Sequence, residues 1–194
     1  MKYTKRQVEI INAATELINK GGIQHFTTKA LAERIGFTEP AIYRHFKNKT
    51  EIISSILVYF GLGLKIKLVE ITECGSIGID KLKGIIEFQF EEFAKNPAIV
   101  MVIFAETSFQ YDDQLSLAVQ NIMNNKKNRI EHLIKQGQED RSIRVDIEAA
   151  QLASIFMGTM RFNILQWRLN GYKTDLQMEG KAFWNTIRKL FQPN

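Results

Sequence analysis

Residues 27–51 read Thr27-Thr28-Lys29-Ala30-Leu31-Ala32-Glu33-Arg34-Ile35-Gly36-Phe37-Thr38-Glu39-Pro40-Ala41-Ile42-Tyr43-Arg44-His45-Phe46-Lys47-Asn48-Lys49-Thr50-Glu51. Thr27 suits an N-cap, and the helix it opens runs to Ile35 with Leu31 and Ile35 turned inward. Gly36 permits the positive φ of a tight turn. Thr38 can cap a second helix, with Glu39 and Pro40 in its first turn and Ile42 and Phe46 on one face. Asn48-x-x-Glu51 is a capping box that opens a long helix. Two short helices joined by a glycine turn form a helix-turn-helix. The second helix reads as about two turns, with Tyr43 and Arg44 outward. Such a helix fits a major groove about 12 Å wide.

Three helix N-termini fall near Thr27, Thr38 and Lys49, and each offers free N–H groups and a positive dipole end to a phosphate. Lys47 and Lys49 add charge, and Tyr43 and His45 can donate hydrogen bonds to phosphate. A helix pair joined by glycine also serves as a hairpin used only for packing. The coincident capping signals and the outward Tyr-Arg-His cluster favour the DNA-binding alternative.

Charge agrees with that placement. The chain has 194 residues and a net charge of +5. Residues 1–50 hold nine Lys/Arg against four Glu, so the whole excess sits there, while residues 51–194 are neutral. A local basic surface attracts polyanions through counterion release. A solvated surface with a chance imbalance is the other reading of the charge alone.

Outward from this segment the periodicity is helical. Val8, Ile11, Ala14, Leu17 and Ile18 share a face, and Gly21-Gly22 stops that helix. Gly75 to Gly78 separates a long helix from one carrying Ile85, Ile86, Phe90 and Phe93. Asn96-Pro97 reads as an N-cap with proline at the first helical position. Asp112-Asp113 opens a helix to about Gln138, since acids favour the positive dipole end. Asp146 opens another, ending near Asn170-Gly171. Thr174-Asp175-Leu176-Gln177 reads as a capping box for the last helix. No stretch alternates as a strand would. The expectation is an all-α fold of about nine helices.

Several classes are disfavoured. The longest apolar runs, such as Ile99 to Ala105, fall short of the ~20 residues of a membrane helix. No apolar stretch follows the charges of Met1 to Gln7, so a signal peptide is not expected. Cys74 is the only cysteine, which excludes an intrachain disulfide and suits the cytoplasm. His25, His45 and His132 share no metal-ligand spacing, and neither a metal nor a cofactor is expected. No nucleophile motif or phosphate loop suggests an enzyme.

At residues 4–60 the chain closely resembles the tetracycline-repressor-like (TetR/AcrR) transcriptional regulators. The matching residues are Phe26-Thr27-Thr28, Leu31-Ala32, Ile35-Gly36-Phe37-Thr38, Ile42-Tyr43-Arg44-His45-Phe46 and Lys49. The resemblance implies an all-α homodimer with a three-helix helix-turn-helix head and a helical regulatory and dimerisation body. It implies double-stranded DNA and a small apolar or amphipathic effector as partners, and no membrane. Residues 1–50 would be the DNA-binding domain, which in the family extends to about 63. Residues 51–194 would be the effector-binding and dimerisation domain. Thr27, Tyr43, His45 and Lys49 match positions that touch phosphates, while Thr28, Lys29, Thr38, Glu39, Pro40 and Arg44 match positions where bases or phosphates are read. Pro40 stands where many relatives have glycine, and proline has no N–H to give a phosphate. The run from Thr38 to Phe46 also resembles the nucleoid-occlusion branch, whose members bind a division protein as well as DNA.

The body carries both tryptophans and five of the six methionines. Phe88, Phe93, Met101, Phe104, Phe109, Met157, Met160, Phe162 and Trp167 are the candidates for lining an effector cavity; at helical spacing the same residues also make core. Arg161, Asn163 and Gln166 are polar residues among apolar ones on one helix. For a dimer surface the candidates are Ala153, Gly158, Phe183, Trp184, Ile187 and Phe191, which would form a four-helix bundle with a second copy or pack within the monomer. Gly61 and Gly63 interrupt the helix that begins at Lys49, either as a hinge or as sites of close packing.

Overall fold

Thr4 begins the first helix by an exchange of hydrogen bonds. Its hydroxyl accepts from the Gln7 N–H at 3.2 Å, and the Gln7 Oε1 accepts from the Thr4 N–H at 3.0 Å. Helix α1 (Lys5–Gly21) then buries Ile10, Ile11, Ala14 and Ile18 and ends at Gly22, whose φ is 77°. The structure is a computed structural model and describes residues 3–73, 75–104 and 112–193. After a short 3-10 turn at Ile23–His25 come α2 (Thr28–Ile35), α3 (Glu39–Tyr43), α4 (Lys49–Glu73), α5 (Gly78–Lys95), α6 (Pro97–Ile103), α7 (Asp113–Glu139), α8 (Ala149–Leu169) and α9 (Leu176–Phe191). Among the described residues there is no strand.

The chain divides into two compact units. The first is Met1–Leu62 with Pro97–Asn121, and the second is Gly63–Asn96 with Ile122–Asn194. The clustering adds Pro97–Asn121 to the head expected over residues 1–50, or to about 63 by the resemblance. The reason is packing: α6 lies against α1, and Val102 and Leu115 are buried in one cluster with Ile10, Ile11, Phe26, Leu31, Ile42, Phe46 and Ile52. The Thr50 hydroxyl donates to Asp112 Oδ2 at 2.9 Å, and Asp112 Oδ1 caps α7 through the Leu115 N–H at 3.0 Å. Two of the three breaks in clustering fall inside helices, α4 and α7, and the third lies between α5 and α6.

The second unit is built on close backbone approaches. A Cβ at Gly78 of α5 would lie 2.3 Å from the Gly137 Cα of α7, so a side chain has no room there. Gly180 of α9 likewise lies against the Phe90 ring, 2.9 Å from where its Cβ would be. That closeness lets Phe90 stack on Phe183 at 5.8 Å, and Phe156 packs on both Phe183 and Phe191.

Two helix starts differ from expectation. Asp146 does not open α8; Glu148 is its N-cap, and Asp146 instead receives two hydrogen bonds from the Arg144 guanidinium at 2.7 and 2.6 Å. A cation two residues away outcompetes free N–H groups for that carboxylate. The cap of α9 is Asp175, accepting from the Gln177 and Met178 N–H groups, while the Thr174 carbonyl accepts from Trp167 Nε1. Helix α4 runs unbroken through Gly61, where a Cβ would meet open space, so close packing does not account for that glycine. Gly63 lies outside the residues whose side-chain surroundings are described.

Candidate nucleic-acid interface

Helices α2 and α3 form the expected pair. The Thr27 hydroxyl accepts from the Ala30 N–H at 3.1 Å and so caps α2. Gly36 closes that helix in the left-handed region at φ 68°, ψ 32°. Thr38 is the N-cap of α3 by its backbone, but its hydroxyl makes no cap bond. Helix α3 spans only five residues, shorter than the two turns expected, because Arg44 is already its C-cap. Ile42 and Phe46 are buried beneath it as expected. Pro40 is exposed in its first turn.

A hydrogen-bond chain crosses the two helices. The Tyr43 hydroxyl donates to Thr28 Oγ1 at 3.1 Å, and the Thr28 hydroxyl donates to Glu39 Oε2 at 2.6 Å. Thr28 is buried in this arrangement. It positions Tyr43 and Glu39, and it does not present its hydroxyl to solvent. Nothing in the sequence pattern signals this chain, because its members lie 11 and 15 residues apart across a turn.

Six of the cations of residues 1–50 sort into two groups. Arg6 pairs with Glu9 at 2.6 Å and lies 4.8 Å from the Phe37 ring centre, and Arg34 pairs with Glu16. Lys29, Arg44, Lys47 and Lys49 are exposed, and no ion pair engages them among the described residues. The Lys49 ammonium lies 5.5 Å from the Phe26 ring centre, which orients it beside the start of α2. Asn48 Oδ1 accepts from the Glu51 N–H at 2.8 Å, and the Glu51 carboxylate accepts from the Lys47 N–H. Those bonds hold the turn that carries Lys47 and Lys49. The half-buried His45 is fixed through its carbonyl, which accepts from Gln7 Nε2 at 3.2 Å. Gln7 was not a sequence candidate; its part here is to tie α1 to the end of the recognition segment.

The arrangement offers unpaired cations, exposed hydroxyls and a short helix, which is phosphate-contacting chemistry around a base-reading element. A family model for bacterial regulatory proteins of the tetR family matches residues 10–56, and one for the C-terminal region of YsiA-like proteins matches residues 66–189. The chain belongs to the tetR family of bacterial regulatory proteins. As a TetR-family protein it is a DNA-binding transcriptional regulator and not an enzyme. It is similar to the nucleoid occlusion factor SlmA of Photobacterium profundum, 22% identical over 191 residues, 96% of this chain and 95% of that one. Its fold matches the fatty acid degradation regulator FadR from Bacillus halodurans, with a TM-score of 0.86, 19% identity and 97% of each chain covered. It also matches FadR from Bacillus subtilis, solved in complex with stearoyl-CoA, with a TM-score of 0.79, 22% identity, and 94% of this chain and 96% of that one covered.

In this TetR-family chain the effector candidates scatter. Phe93, Met160 and Trp167 are buried, and Phe88 and Met157 are half-buried, all in the second unit. Met101 and Phe104 are half-buried in the first unit. Phe109 lies outside the described residues. Phe162 is 57% exposed and lines no interior. Trp167 packs edge-on against Tyr172 at 4.7 Å, closing the end of α8. Of the polar candidates on α8, Asn163 donates to the Thr159 carbonyl at 2.8 Å, Gln166 is exposed and Arg161 is half-buried.

The dimer candidates also divide. Ala153, Phe183, Trp184, Ile187 and Phe191 are buried within the chain itself. They are core because α9 turns its apolar side onto α5 and α8, so they offer no free surface. Gly158 is exposed, on a stripe of α8 with Ile155, Thr159 and Phe162. Among the described residues no helix is long and apolar enough to cross a membrane.

Proposed function

We propose that this chain is a ligand-responsive repressor that binds an inverted-repeat operator as a homodimer. The observation that carries the reading is the set of four exposed cations without ion pairs, Lys29, Arg44, Lys47 and Lys49, around the helix pair α2–α3. Tyr43, His45, Lys47, Lys49 and the cap of α2 at Thr27 contact phosphates; Arg44 and Glu39 at α3 read bases. The stripe Ile155, Gly158, Thr159 and Phe162 supports the dimer, since exposed apolar residues at a helical repeat call for a partner surface. Two heads then sit in successive major grooves, with half-site centres about one helical turn, ~34 Å, apart or somewhat more.

The effector is small and amphipathic, and it acts in the second unit. The bound stearoyl-CoA named for Bacillus subtilis FadR makes an acyl thioester the first ligand to test. A second reading, a division-linked DNA-binding adaptor, is favoured by the similarity to SlmA over nearly the whole chain. Fluorescence anisotropy on a genomic operator duplex across salt concentrations tests the main reading. Log affinity falls with log salt at ~0.9 per phosphate contact, and the two heads together give a slope of several. A flat response refutes electrostatic backbone binding. Unchanged duplex affinity across a panel of acyl thioesters and other amphipaths favours the adaptor.

A further inference from the structure

A carboxylate stands among the exposed cations of the DNA-binding head. Glu39 is the first residue of α3, directly after the N-cap Thr38, and it is half-buried. The first residues of a recognition helix are the ones brought to the base edges. A negative charge there opposes the phosphates and weakens binding to every duplex. The dipole of α3 favours an acid in its first turn, but that gain needs no particular orientation of the carboxylate. Glu39 nevertheless has one.

The orientation comes from the hydrogen-bond chain across α2 and α3, whose direction is forced by chemistry. An ionised carboxylate only accepts, so the Thr28 hydroxyl must donate to Glu39 Oε2, at 2.6 Å. That spends the single hydroxyl proton of Thr28. The Tyr43 hydroxyl must therefore donate to Thr28 Oγ1, at 3.1 Å. Thr28 is buried and β-branched, so its hydroxyl is a stiff anchor. A short bond to a charged acceptor is among the stronger kinds. It ties Oε2 back to α2 and leaves Oε1 as the open acceptor of an otherwise flexible side chain.

In the major groove a group that only accepts can pair with two bases, through the cytosine N4 or the adenine N6 amino group. Guanine O6 and N7 and thymine O4 are themselves acceptors and repel it. Adenine sets its N7 acceptor beside the amino group, whereas cytosine presents the amino group alone. We propose that Glu39 selects a cytosine in each operator half-site by accepting its N4 hydrogen at Oε1, and that Thr28 is the positioning residue that aims it. The inference rests on the reading of this head as an operator binder and supplies one letter of the operator. Thr28 then acts on sequence preference through Glu39 while its own hydroxyl stays buried. The carboxylate lowers affinity for DNA at large and gains discrimination at one base pair.

Selection of duplexes from a random-sequence library by the full-length protein tests it, followed by fluorescence anisotropy on the enriched duplex with each of the four base pairs at each position. The wild type is expected to show a position in each half-site where cytosine is preferred over guanine and thymine by about tenfold or more. Glu39→Gln is expected to turn that position towards guanine or thymine, because Thr28 holds the amide oxygen and leaves the NH2 group to donate. Thr28→Val is expected to bring the cytosine-to-guanine ratio there close to one, while Thr28→Ser keeps the hydroxyl and retains the ratio. The ratio is taken within one variant, so a general loss of affinity cancels, and circular dichroism checks that each variant is folded. A part confined to stabilising the head would lower all affinities and leave the ratio alone. An enriched inverted repeat whose base preferences survive Glu39→Gln unaltered overturns the proposal and leaves the operator reading standing. So does a folded Thr28→Val protein with the full ratio. A library that yields no enriched sequence overturns both.

Discussion

Replacing Lys126 by methionine is expected to make the protein more stable at neutral pH. Burial holds the ammonium at about 8 in the folded chain against an ordinary 10.5. The gap corresponds to about 3 kcal/mol, at about 1.4 kcal/mol per pH unit. Because the folded value is the lower one, the unfolded chain holds the proton more tightly between the two. Stability therefore rises as pH climbs from about 8 to 10.5, and the penalty is at full size below about 8. Methionine keeps much of the stem volume and removes the charge. It also removes the bond to Gln89 Oε1, which offsets about 1 kcal/mol. The net gain is about 2 kcal/mol at pH 7, or a rise in Tm of about 4–8 °C for a chain of this size. Urea unfolding followed by circular dichroism at pH 7 and pH 10 measures it. The advantage over the wild type should shrink at pH 10, where the native lysine has largely lost its proton. A variant less stable than wild type at pH 7, or a difference independent of pH, refutes the reasoning.

Three further outcomes follow from the geometry. Gly78→Ala places a methyl 2.3 Å from the Gly137 Cα and is expected to lower stability by about 3 kcal/mol or more, read as a fall in Tm, whereas Gly61→Ala meets open space and is expected to raise it by up to about 1 kcal/mol. Lys49→Ala and Tyr43→Phe should weaken binding to all duplexes alike, while Arg44→Ala should cost about 1–3 kcal/mol on the operator and relax its sequence preference; equal losses on operator and random DNA would make Arg44 only a phosphate contact. Phe162→Glu with Ile155→Glu should give folded monomers by sedimentation, while Trp184→Glu should unfold the second unit, because Trp184 is 6% exposed and Phe162 is 57% exposed.

The helix-turn-helix was legible because its signals are local. Thr27, Gly36 and Asn48 act within four residues of themselves, through caps and a left-handed turn that depend on chemistry rather than on distant packing. Asp112 was readable for the same reason. Local signals misled where a stronger neighbour competed, as when Arg144 took the Asp146 carboxylate. For the dimer candidates the difficulty is different. Phe183, Trp184 and Phe191 make α9 apolar, but periodicity does not say whether that side meets α5 and α8 or another chain. The Lys126–Gln89 bond was invisible in sequence because its partners come from two helices and meet only after packing.

The core beneath the recognition helix has an owner far along the chain. Val102 and Leu115 close the cluster that contains Ile42 and Phe46, and Asp112 receives the Thr50 hydroxyl. The DNA reader is therefore not a portable N-terminal cassette. A chimera that grafts residues 1–62 onto another regulator's body would leave the floor of its own head behind. Recombination within the family would have to exchange residues 97–121 as well, or preserve their apolar surface, for a borrowed operator preference to survive the transfer.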